Sequence, residues 1–109
     1  MKTCAILQPH FLPWIGYFEM IERVDLFVFL DDVQYEDRGW QNRNRIRRTR
    51  FSHEKKWLTV PIRRKDVRQT LLANVKIAKE ENWFQYHENS LNETYRYSPF
   101  FDIYIERII

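Results

Sequence analysis

Two short apolar runs with one amphipathic stretch between them constrain this chain more than any other feature. Cys4-Ala5-Ile6-Leu7 and Leu26-Phe27-Val28-Phe29-Leu30 have the length and character of buried strands. Between them Trp14, Tyr17, Phe18 and Ile21 recur at helical spacing, with Glu19, Glu22 and Arg23 on other faces. Pro13 suits the first turn of that helix, where its missing N–H costs nothing. Strand, helix, strand in this order predicts an α/β fold with a short, mostly parallel sheet and flanking helices; a parallel pair would be joined by a right-handed crossover.

The rest of the chain is less regular. Residues 31–50 are polar, with Gly39 as their only glycine, and read as a functional loop with a short strand near Ile46. Phe51-Ser52-His53-Glu54 reads as a turn, and Lys56-Trp57-Leu58-Thr59-Val60-Pro61-Ile62 as a third strand edged by Pro61. Residues 63–69 form a charged loop, and residues 72–78 a fourth strand. Asn82 begins a helix carrying Trp83, Tyr86, His87, Leu91 and Tyr95, with His87 on its surface. A last helix starts with Ser98 as N-cap and Pro99 at its first position. It runs to Ile108-Ile109 without a cap. The expectation is one domain over residues 1–109, truncated at the carboxyl end.

Cys4 is the single cysteine. It predicts a reducing compartment and, set in an apolar run, a buried structural thiol. No apolar span is long enough for a transmembrane helix, so a cytoplasmic protein is expected. The net charge of +3 hides a segregation: twelve of the eighteen Lys and Arg fall within residues 38–68. Such a block is either a solvated face or an anion site.

Three clusters carry candidate chemistry. Gln8 and His10 would leave the first strand at its carboxyl end, beside the start of a helix, where open α/β sheets hold ligands. Trp14 and Tyr17 follow on that helix. Asp31, Asp32, Gln34 and Tyr35 would leave the second strand in the same way. The two adjacent carboxylates can bind Mg²⁺ or a sugar hydroxyl, or one can act as a base. Trp40, Asn42, Arg43, Asn44 and Arg45 form the third cluster. In an extended segment Asn42 and Asn44 share one face and Arg43 and Arg45 the other, and the arginine forks suit phosphate or carboxylate. Asp31 and Asp32 can pair with some of these arginines. No metal-ligand spacing, phosphate-binding glycine loop or nucleophile elbow is present, and the cofactor is left unknown.

Taken together, the blocks Gln8-Pro9-His10-Phe11-Leu12-Pro13-Trp14-Ile15-Gly16-Tyr17-Phe18, Phe27-Val28-Phe29-Leu30-Asp31-Asp32-Val33-Gln34-Tyr35, Trp40-Gln41-Asn42-Arg43-Asn44-Arg45-Ile46 and Trp57-Leu58-Thr59-Val60-Pro61 resemble the WbqC-like protein family. The resemblance implies biosynthesis of bacterial surface polysaccharide, such as lipopolysaccharide O-antigen. It also implies that this chain is the amino-terminal half of a longer domain. It names a pathway rather than a reaction, and no catalytic residues are carried over from it. A weaker similarity links Trp14-Ile15-Gly16-Tyr17 to the helix-start signature of nucleotidylyltransferases, with both signature histidines replaced. The fold expectation becomes a Rossmann-like or nucleotidylyltransferase-like half-domain.

Three functions compete. The first is an enzyme, possibly a transferase, modifying a sugar or nucleotide-sugar by group transfer. Its partner would be an anionic small molecule: a sugar phosphate, nucleotide-sugar or acyl donor. Arg43 and Arg45 would hold the anion, Gln8, Asn42 and Asn44 would orient the substrate, and Asp32 or His10 would be the base. The second is a non-catalytic partner in a biosynthetic complex. The third, nucleic-acid binding through residues 38–68, is disfavoured by the small net charge and flanking acids. Nothing in the sequence sets the oligomeric state.

Overall fold

The computed structural model describes residues 1–79 and 82–108. Ile109, part of the expected last helix, lies outside the described residues. In chain order the elements are β1 (Cys4–Leu7), α1 (Ile15–Arg23), β2 (Leu26–Phe29), β3 (Arg43–Arg47), β4 (Lys55–Thr59), two 3-10 turns (Val67–Gln69 and Leu72–Asn74), α2 (Trp83–Tyr95) and α3 (Phe101–Ile108). The fold is mixed α/β.

β1 and β2 pair in parallel, with Cys4 opposite Leu26 and Leu7 opposite Phe29. Thr3 and Asp25 staple the strand starts together, the Thr3 N–H donating to the Asp25 carboxylate at 2.8 Å. The apolar runs are expected to be buried, but one sheet face is only half-covered, with Ala5, Leu7 and Phe27 half-buried and Phe29 exposed. Phe27 faces α1 and meets the Tyr17 ring at 5.5 Å. On the opposite face Cys4, Ile6, Leu26 and Val28 are all exposed, so the Cys4 thiol is not buried. Nothing among the described residues covers this second face.

The other sheet is an antiparallel ribbon of β3 and β4, with Arg45 opposite Trp57. The sheet is therefore not mostly parallel: two separate two-stranded sheets stand where one was expected. The ribbon alternates cleanly, which is how a sheet with one wet face behaves. Asn44, Ile46 and Leu58 point inward, Leu58 being fully buried. Arg43, Arg45, Arg47, Lys55 and Trp57 share the outer face.

α2 crosses the inner face on a polar stripe. His87, Ser90 and Thr94 are buried, at helical spacing. His87 Nε2 meets the Thr59 carbonyl at 3.0 Å, and the Thr94 hydroxyl donates to the Arg47 carbonyl at 3.3 Å. His87 is thus interior, not on the helix surface, because the ribbon's free carbonyls need donors. The expected strand over residues 72–78 is instead a 3-10 turn followed by a single bridge from Ile77 to Ile62. Its apolar residues still pack: Leu72 and Val75 close a small core of Tyr35, Ile62 and Val67. α1 and α3 both begin two residues beyond the prolines expected to start them, at Ile15 and Phe101.

These pieces make a slab of 43 × 41 × 24 Å. Its accessible surface is 8727 Å², against about 6,600 Å² for a typical folded monomer of this mass. Ile6, Phe18, Leu26 and Phe29 are among the large apolar side chains left more than half exposed. Among the described residues no helix is long and apolar enough to cross a membrane.

Candidate functional site

The loop leaving β1 is sewn to the start of β3 by side chains bonding to backbone. Asn44 donates its amide to the carbonyls of Phe11, at 3.3 Å, and Leu12. Its amide oxygen accepts the Arg45 N–H at 2.7 Å. Phe11 N–H donates to the Trp40 carbonyl, and Gln41 donates its amide to the Gln8 side-chain oxygen at 2.5 Å. The Gln41 oxygen in turn accepts the Glu36 N–H. Beneath the loop, buried Tyr17 donates its hydroxyl to the Gln8 carbonyl at 2.9 Å, and burial raises its pKa. Leu12 sits at φ 44°, a left-handed conformation that costs a non-glycine residue about 1–2 kcal/mol. The Asn44 amide holds the two carbonyls around that bend.

The bend opens a cavity of about 420 Å³ lined by His10, Pro13, Trp14, Trp40 and Asn44. The His10 ring lies 5.7 Å from Trp14 and 5.9 Å from Tyr17. Trp14 folds back over Gly16, where an added Cβ would meet its indole nitrogen at 2.5 Å. Gly16 is therefore required for this wall. On the ribbon's outer face Trp40 and Trp57 lie 5.4 Å apart. Arg45 stacks over both rings at 5.4 Å, and Arg43 over Trp57 at 4.3 Å.

Four of the residues expected at a site thus meet around one cavity: His10, Trp14, Trp40 and Asn44, with Arg45 stacked on one of its walls. Gln8 and Tyr17 support the loop from below. Arg43 and Arg45 share a face, as expected, but Arg43 is held by the Gly39 and Arg38 carbonyls at 3.1 and 2.6 Å. Asn42 is buried, its amide donating to the Val60 carbonyl at 3.0 Å.

The second cluster lies elsewhere. β2 ends at Phe29, and the chain then pairs with residues 70–73 rather than continuing toward the cavity. Tyr35 N–H donates to the Thr70 carbonyl, Ala73 N–H donates to the Asp31 carbonyl, and Gln34 bridges Leu71. Asp31 and Asp32 are exposed, do not line the cavity and form no ion pair with an arginine among the described residues. Tyr35 is in the small core, its hydroxyl buried without a hydrogen-bond partner among the described residues. The loop carboxylate that does meet arginine is Asp37, 2.7 Å from Arg64 and 3.6 Å from Arg68. The Arg64 hydrogen bond holds its carboxyl below the usual range.

The expected site residues do not include Trp57, Gln41 and Asp37. Trp57 carries a signal all the same, as one of the aromatics, with Trp40 and Phe51, in the basic stretch of residues 38–68 that suits stacking. Gln41 and Asp37 carried none, because their partners lie far along the chain. Among the described residues no group of three His, Cys, Asp or Glu side chains converges.

Fold and cavity together define a mixed α/β protein with an aromatic, arginine-edged pocket where a strand-end loop meets a basic ribbon. The chain belongs to the WbqC-like protein family, whose model matches residues 8–108. It is also similar to the uncharacterized protein Rv1507c of Mycobacterium tuberculosis, 43% identical over 84 residues. That match covers 72% of this chain and 35% of the relative, so the chain spans about a third of that relative's length. No solved structure matches it.

Proposed function

We propose that this chain forms a substrate-binding wall of a cytoplasmic protein that transfers a group to or from a sugar or nucleotide-sugar precursor of bacterial surface polysaccharide, such as O-antigen. The observation that carries the reading is the cavity of His10, Pro13, Trp14, Trp40 and Asn44 with Arg45 at its edge. Aromatic walls suit a ring, and a guanidinium beside them suits its phosphate. His10 is the titratable side chain lining the cavity, and Asp32 is not there, so His10 is the group placed to hydrogen-bond the bound ring. In a transfer step an acceptor hydroxyl gives its proton to solvent as its oxygen bonds to the migrating group. The leaving phosphate keeps the bonding pair beside Arg45. The parallel β1–α1–β2 unit suits a Rossmann-like or nucleotidylyltransferase-like half-domain.

Thermal melts of the purified protein with nucleotide-sugars, sugar phosphates and acyl donors test the proposal. A ligand that binds the folded state raises the melting temperature by mass action. No shift with any member of the three classes would overturn it. A second reading, a non-catalytic partner in a biosynthetic complex, draws support from the uncovered apolar face of β1 and β2. It predicts a stable protein partner and no small-molecule affinity.

A further inference from the structure

Arg43 and Arg45 point the same way from β3, but their donors are not equally available. The Arg43 guanidinium is occupied by the carbonyls of Gly39 and Arg38. It pins the turn that carries Trp40. The Arg45 guanidinium has no hydrogen bond and no carboxylate among the described residues, only the faces of Trp40 and Trp57. A guanidinium over ring faces interacts through its charge, and the Arg45 N–H fork, the part that grips phosphate bidentately, has no hydrogen-bond partner among the described residues. The indole under Arg45 is also the one that lines the cavity. A ring in the cavity therefore lies next to an anion at Arg45.

The lining also discriminates between rings. Both amide hydrogens of Asn44 are committed to Phe11 and Leu12, and its oxygen already accepts from Arg45. The His10 ring and the indole N–H groups of Trp14 and Trp40 are the main hydrogen-bonding groups left in the lining. A pyranose buried here would leave most of its hydroxyls unpaired, which is costly. A nucleobase is recognised largely through its π face, and aromatic stacking is worth about 1–3 kcal/mol per base. Resting on the proposed function, we infer that the cavity takes the base of a nucleoside diphosphate and that Arg45, not Arg43, grips its phosphates. The glycosyl group then lies outside the cavity.

The test titrates the protein with a nucleoside, the matching nucleoside diphosphate and sugar 1-phosphates, for the uracil, guanine and cytosine series. Tryptophan fluorescence and calorimetry are the readouts. The diphosphate of at least one series should quench fluorescence and bind at least tenfold more tightly than any sugar 1-phosphate. Arg45→Ala should weaken the diphosphate on the order of tenfold and leave the nucleoside unchanged. Arg45 is on an exposed strand face, so its variant should keep the wild-type melting temperature to within a few degrees. Equal weakening of nucleoside and diphosphate, or a sugar 1-phosphate binding more tightly than every diphosphate, would overturn the inference while the proposed function stands. Tighter binding of a single-stranded oligonucleotide than of any mononucleotide would also overturn it. Wild-type protein indifferent to nucleotides, sugar phosphates and acyl donors alike would remove the proposed function, and the inference with it.

Discussion

Asn44→Ala is the substitution that most directly tests the construction of the site. The amide it removes donates to the Phe11 and Leu12 carbonyls and accepts from the Arg45 N–H. A hydrogen bond of this kind contributes about 0.5–1.5 kcal/mol net. Asn44 is only half-buried, so water replaces part of what is lost, and the low end of that range applies. Three bonds at that level total about 1.5 kcal/mol, and part of the Leu12 backbone strain is released as the bend relaxes, which leaves a net loss of about 1 kcal/mol. For a domain of this size each kcal/mol is worth about 4–8 °C. The melting temperature should therefore fall by about 4–8 °C in a calorimetric or circular-dichroism melt. Trp14 and Trp40 stand on the two segments that Asn44 joins, so the tryptophan emission should shift to the red as the cavity opens. Asn44→Asp keeps the acceptor for Arg45 but places negative charge against two carbonyls, and should be no better than alanine. An alanine variant that melts within 2 °C of wild type with unchanged emission would refute the account of the loop.

Two further substitutions probe the interior. Tyr35→Phe removes a buried hydroxyl that has no partner among the described residues, so it should raise stability by about 1 kcal/mol, read as a higher melting temperature; a fall would mean that the hydroxyl is satisfied. His87 is the interior's pH-sensitive group. Burial lowers its folded pKa from the ordinary 6.5, partly offset by the Thr59 carbonyl. The unfolded chain then takes up a proton first. The stability it contributes is present above pH 6.5 and is lost as pH falls through that value toward the folded pKa. Wild type should lose melting temperature over that window more steeply than His87→Gln, and parallel curves would exclude the assignment.

What was legible in the sequence was local. The runs Cys4–Leu7 and Leu26–Phe29 and the helical spacing of Tyr17 and Ile21 carry β1, α1 and β2, because each signal lies within one element. The Asn42/Asn44 and Arg43/Arg45 alternation held for the same reason. Residues 72–78 show where that reading stops. Leu72 and Val75 were rightly seen as apolar, but their three-residue spacing serves a 3-10 turn over the Tyr35 core rather than a strand. α2 misleads differently: its buried stripe of His87, Ser90 and Thr94 answers carbonyls of the ribbon, which no helical pattern announces. The candidate cavity mixes both cases. Residues with ligand-binding character could be singled out from sequence, but their meeting depends on Asn44 reaching 32 and 33 positions back along the chain. Asp31 and Asp32 have the same chemical character and are led away by pairing with residues 70–73.

The bare face of β1 and β2 carries the chain's only sulfhydryl. Cys4 stands beside Ile6, Leu26 and Val28 and is accessible in the free chain. It is a native chemical handle, placed where shielding would be felt first. Whatever comes to rest on that face, whether polypeptide or a second copy, slows alkylation of one thiol, and mass spectrometry registers the protection without the covering molecule having to be identified beforehand.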